Sequence, residues 1–106
     1  MDMSTIMQQA QQFQQNMAKI QDELAHKKVT GTAGGGMVTV TANGKSEILS
    51  LVIEPAMIVE KDADMLQDLI VAATNDALRK ARELGKADMG KLTGGLNLPG
   101  LSNMFG

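Results

Sequence analysis

Arg79, Arg82 and Lys86 recur at spacings of three and four residues. At about 100° per residue they share one helix face with Asn75, opposite the stripe Ile70, Ala77 and Leu84. Lys80 lies beside that stripe and can reach outward along its own stem. A row of fixed cations binds anions, phosphate above all. Residues 79–91 carry five basic groups against Glu83 and Asp88, a local +3, whereas residues 60–68 carry four acids against Lys61, a local −3. Acid at a helix start and base at its end is also what the helix dipole favours, so polarity alone does not establish a site. A second polar row, Gln8, Gln11, Gln15 and Lys19, continues to Asp22 and His26. Glutamine donates to phosphate or to base edges. The same row is also an ordinary solvated face made of good helix formers.

Other chemistry is excluded by what is missing. The 106 residues include no Cys, no Trp, no Tyr and one His. Thiol catalysis, disulfides and thiolate metal sites are therefore ruled out, and His26 alone cannot build a catalytic or zinc constellation. Gly34-Gly35-Gly36 lacks the Lys-Ser/Thr ending and the following helix of a phosphate loop, so it reads as a turn or bulge before a strand. The nine Met read as adaptable core filling. We expect no enzyme, no catalytic residue, no metal, no cofactor and no small-molecule substrate. No apolar run approaches the roughly 20 residues of a membrane span. Residues 1–5 lack the basic start of a secretory signal. A cytoplasmic protein with no membrane partner is expected. The net charge of −2 and pI near 5.2 speak against nucleic acid unless the ten basic residues gather on one surface.

The elements that must position these residues follow from periodicity. Met3, Ile6, Ala10, Phe13, Met17, Ile20 and Leu24 alternate spacings of three and four, a heptad seam that predicts a helix over 3–28. Thr5 with Gln8 has capping-box spacing, and Asp2 favours the same end. Such a helix is roughly 37 Å long, too long for so small a domain unless it projects or meets a second chain. Three strands follow in 29–54: a short one at Val29–Ala33, then Met37–Ala42, an Asn43-Gly44 type I′ turn, and the return strand Ser46–Glu54. Leu49, Leu51 and Ile53 alternate with Ile48 and Val52, so both faces of the last strand expect cover. A second helix spans 62–85, capped by Asp62 or Asp64. Leu66, Leu69, Ile70, Ala73, Ala77, Ala81 and Leu84 form its apolar stripe, and Gly85 is its expected stop. The fold class is thus α+β, in the order α-β-β-β-α: a three-stranded antiparallel sheet with two long helices. Residues 1–86 are expected to form one domain, and 87–106 a flexible, disordered tail by composition. The surplus apolar surface favours a homodimer.

Gly34-Gly35-Gly36-Met37-Val38-Thr39-Val40-Thr41-Ala42-Asn43-Gly44 resembles the central motif of the YbaB/EbfC family of bacterial nucleoid-associated DNA-binding proteins. Gln8-Gln9-Ala10-Gln11-Gln12, Val29-Thr30-Gly31, Ile53-Glu54-Pro55, Asp68-Leu69-Ile70, Asn75-Asp76-Ala77 and Leu98-Pro99-Gly100 agree in the right order. The resemblance implies a small tweezer-like homodimer that binds double-stranded DNA with limited sequence preference and organises the nucleoid, with an effect on gene expression.

The expected DNA-binding residues are Arg79, Arg82 and Lys86, supported by Lys80, Lys19, Gln8, Gln11 and Gln15. With the helices antiparallel, the Gln-rich start of the first helix would lie beside the basic end of the second, leaving Lys27 and Lys28 at the opposite end. No aromatic is free to stack on bases, which disfavours a single-strand mode. The competing reading is a coiled-coil-like protein-interaction module with no direct DNA role.

Overall fold

The computed structural model describes residues 2–59 and 62–93. Helix α1 spans Met3–His26, strands β1, β2 and β3 span Lys28–Ala33, Val38–Asn43 and Ile48–Ile53, and helices α2 and α3 span Pro55–Val59 and Ala63–Thr93. The sheet is antiparallel in the order β1-β2-β3, with Thr30 opposite Thr41 and Val40 opposite Leu51. The expected α+β order is present, with α2 as an added short helix.

The core is built from small side chains. Val38, Val40 and Ala42 alternate along β2 and are completely buried against Ala73, Ala77 and Ala81 of α3. Leu66, Leu69 and Ile70 pack around them. The helix comes so close to β1 that a Cβ on Gly31 would stand 2.2 Å from Ala77 N and 2.3 Å from Ala73 O. Only glycine opposite alanine permits that approach. The first turn is likewise a glycine structure: Gly34, Gly35 and Gly36 have φ of 64°, 67° and 96°, a region that costs other residues energy.

Several local expectations give way to tertiary contacts. Asp2, not Thr5, caps α1, accepting from Ser4 N at 3.3 Å and Ser4 Oγ at 2.7 Å. These bonds, the hydroxyl first, hold the Asp2 carboxyl below its ordinary pKa. The β2–β3 connection is not a type I′ turn, because its left-handed residue is Ser46, with φ 64°. Asn43 is buried there and organises the loop: its Oδ1 accepts from Lys45 N at 3.0 Å and Glu47 N at 3.1 Å, and its Nδ2 donates to Glu47 Oε1 at 2.9 Å. Gly44 N in turn donates to Leu24 O at 2.8 Å, which seats the loop on the end of α1. A bulge between Thr41 and Ala42 absorbs the altered register.

Helix α3 runs through Gly85 to Thr93 instead of stopping. Gly85 keeps helical φ, and its bare Cα faces the loop, where a Cβ would be 3.6 Å from Gly44 O. Residues 87–93, expected in the tail, are therefore the end of this helix, held by α1. The remainder of that tail, 94–106, lies outside the described residues. Pro55, expected only to end the strand, opens α2, a position its fixed φ suits. Met57 of this helix is buried.

The heptad seam of α1 is only partly used. Leu24 is buried, Phe13, Met17 and Ile20 are half-buried, and Met3 and Ile6 are exposed. On β3, Ile48, Leu49, Leu51 and Val52 are exposed, Val52 to 63%, so neither face of that strand has the full cover its pattern predicts within one chain.

Candidate nucleic-acid interface

The cations of α3 separate into two groups. Arg79 Nη2 lies 2.7 Å from Asp76 Oδ1, and its Nη1 lies 3.1 Å from Glu83 Oε1. The guanidinium is held by carboxylates on both sides, Asp76 most strongly, and its pKa is raised. Asp76 is depressed in return, first by Arg79 and then by the Thr32 N–H, which donates to Asp76 Oδ2 at 3.2 Å. Lys80 Nζ donates to Thr30 O at 2.9 Å and sits 3.3 Å from Asp76 Oδ2. Arg79 is therefore neutralised on its own helix, and Lys80 is turned toward β1. Together Asp76 and Lys80 occupy polar groups on the outer edge of that strand.

Arg82 and Lys86 face a different neighbour. They line a groove of about 390 Å³ together with Lys45 of the β2–β3 loop. Lys45 carries no helical periodicity and was not among the residues expected from sequence. Its signal was the turn sequence Asn43-Gly44-Lys45-Ser46, but only the docking of that turn beside Gly85 reveals the meeting.

The two long helices are antiparallel, but their register differs from the expectation. Lys27 Nζ bonds Asp88 Oδ2 at 2.7 Å, and Lys91 Nζ is 3.7 Å from Asp88 Oδ1. The Asp88 side chain is only 7% exposed, and its carboxyl is held below the usual range, chiefly by the Lys27 hydrogen bond. Lys19 lines a second groove of about 320 Å³ with Lys27 and Lys91, where Glu23 and Asp88 offset the positive charge. The C-terminal half of α1 thus meets the end of α3, and Lys27 lies at the basic end instead of opposite it. Gln8 and Gln11 are exposed on the distal half of α1, and Gln15 is exposed near its middle. Gln8 stands about 18 Å along the helix from Ile20, so the glutamine row is not beside Arg79 or Arg82. His26 is exposed at the helix end, its Nδ1 2.8 Å from Asp22 O. No helix among the described residues is long and apolar enough to cross a membrane.

Residues 1–96 match the model of the YbaB/EbfC DNA-binding family. The chain belongs to that family. It is 57% identical over 105 residues to a nucleoid-associated protein of Desulfotalea psychrophila, covering 99% of each chain. It is 54% identical over 101 residues to one of Clostridium novyi, covering 95% of this chain and 89% of the relative. The crystal structure of an uncharacterized protein from Helicobacter pylori superposes with a TM-score of 0.72 at 25% identity, covering 78% of this chain and 87% of the other. The family is a DNA-binding family and not an enzyme family.

Proposed function

We propose that the protein binds double-stranded DNA as a homodimer with low sequence specificity, altering DNA conformation and organising the nucleoid in the cytoplasm, with an effect on gene expression. The observation that carries this reading is the family match across residues 1–96. The cations gathered where α1, the β2–β3 loop and α3 meet support it, because backbone phosphates attract such charge irrespective of base sequence. Local concentration of charge answers the acidic total of −2.

The uncovered edge of β3 supports the dimer. Thr30 O and Thr32 N on β1 are engaged by Lys80 and Asp76, whereas β3 ends the sheet with Ile48, Leu49, Leu51 and Val52 exposed. A second copy that covers β3 removes this apolar surface from water. Two copies then present two basic ends to one duplex.

Gel-shift titration of a random-sequence duplex across a salt series, beside sedimentation at micromolar concentration, tests the proposal. Steep salt dependence and a mass near twice 11.3 kDa are expected. A protein-interaction module without DNA is the second reading, favoured by exposed Met3, Ile6 and Met7 on α1. It predicts no salt-dependent duplex binding.

A further inference from the structure

The β2–β3 loop meets α1 at Gly44 and α3 at Gly85. A Cβ on Gly44 would stand 2.6 Å from Leu24 Cδ2, and one on Gly85 would stand 3.6 Å from Gly44 O. The absence of a side chain at Gly44 lets the loop seat against Leu24 of α1, and at Gly85 the loop backbone lies within van der Waals reach of α3. The Asn43 hydrogen bonds to Lys45 N and Glu47 N then hold it in shape. Lys45 is delivered in this way to the groove that Arg82 and Lys86 line, and no carboxylate lines that groove.

The contrast with the other cations is chemical. Lys27, Arg79, Lys80 and Lys91 each contact a carboxylate, whereas Lys45, Arg82 and Lys86 have no ion pair among the described residues; Lys19 and Lys28 have none either, but they lie outside this groove. Three like charges around one concavity repel one another, and an anion seated among them relieves that repulsion. The loop and the helix that carry these side chains are positioned by packing, so an incoming anion meets three cations already gathered around one groove.

We propose that this notch receives a backbone phosphodiester of duplex DNA, with Lys45 joining the loop to the helix as a phosphate contact. The proposal rests on the DNA-binding reading and deepens it by naming the point of contact. It separates Arg82 and Lys86, which reach the phosphate, from Arg79 and Lys80, whose charges are spent within the chain. A phosphate contact of this kind positions the duplex without reading its bases.

The test measures duplex affinity against salt for the full chain, for Lys45→Ala, for Lys45→Arg and for the Arg82→Ala/Lys86→Ala double variant. Each lost phosphate contact lowers the log–log salt slope by about 0.9, so Lys45→Ala lowers it by about 1.8 if two copies bind together. Lys45→Arg restores the slope, and circular-dichroism melts confirm that each variant is folded. Unchanged slopes in Lys45→Ala and in the double variant overturn the notch while leaving DNA binding intact. A wild-type chain without salt-dependent duplex binding overturns the reading itself and the notch with it. A parallel NMR titration with inorganic phosphate distinguishes the source of the anion. Saturable shifts at Lys45 and Arg82 combined with an unchanged duplex slope make the notch a free-anion site and overturn the DNA assignment.

Discussion

Lys27 Nζ sits 2.7 Å from Asp88 Oδ2, joining residues 61 apart in the chain. Lys27 follows the last residue of α1, and Asp88 lies near the end of α3. The bond ties the end of α1 to the last turns of α3. Because the folded state holds Asp88 below its ordinary pKa, the unfolded chain binds the proton first as pH falls. The stabilisation is therefore present above about pH 4 and lost as pH falls through the lower folded value. Asp88→Asn is expected to melt below wild type at pH 7 and to lose less further stability between pH 4 and pH 2. Thermal melts by circular dichroism across that range check this; parallel curves for the two proteins would contradict it. A chain ending at Ala87 lacks Asp88 and is expected to melt below wild type as well.

Gly31→Ala places a methyl group into the backbone of α3, 2.2 Å from Ala77 N. Neither partner is a flexible side-chain tip, so the helix must move away from β1. Overpacking of this kind costs about 3 kcal/mol or more, which corresponds to a drop in Tm of roughly 10 °C or more in a domain this small. Gly35→Ala has open space around it and is strained only by its φ of 67°. It is expected to cost about 1 kcal/mol. Differential scanning calorimetry orders the two.

Asp76 and Lys80 occupy the outer edge of β1 through Thr32 N and Thr30 O. Removing both side chains in Asp76→Ala/Lys80→Ala leaves those polar groups open to another strand. The expected outcome is association beyond the dimer, seen as a concentration-dependent rise in light scattering. A double variant with wild-type scattering at every concentration would show that the edge is protected by something else.

Val52 is 63% exposed on β3 within one chain. Val52→Lys is expected to shift sedimentation from the dimer toward the monomer, because a charge buried without a partner opposes association. The salt slope of duplex binding should fall at the same time, since the two basic ends no longer act as one particle. A variant that stays dimeric would place the interface elsewhere.

Arg79 and Arg82 are three residues apart on α3, but Arg79 bonds Asp76 and Glu83 while Arg82 borders the groove with Lys45. Arg82→Ala is expected to lower the duplex salt slope more than Arg79→Ala. Gel shifts at four or five salt concentrations suffice to rank them. An equal or larger effect of Arg79→Ala would show that its ion pairs exchange readily for phosphate.

The local periods of the chain were legible in the sequence because they depend on near neighbours. The alternation Val38, Val40, Ala42 and the helical spacing Ala73, Ala77, Ala81 announced the two faces that form the core, and Gly34–Gly36 announced a turn. The pairing of Arg79 with Asp76 and Glu83 was equally available, since residues three and four apart on a helix meet. It simply argued against the role that the same arginine's exposed face suggested. The tertiary structure decided what depends on distant partners. Gly85 reads as a helix stop, but the contacts of Asp88 with Lys27 carry α3 onward to Thr93. Asn43-Gly44 reads as a type I′ turn, but Leu24 draws Gly44 into the body and moves the left-handed residue to Ser46. Lys45 reads as an ordinary loop residue until that docking sets it beside Arg82 and Lys86. Propensity acts over a few residues at a fraction of a kcal/mol each, so packing between distant segments overrides it where the two disagree.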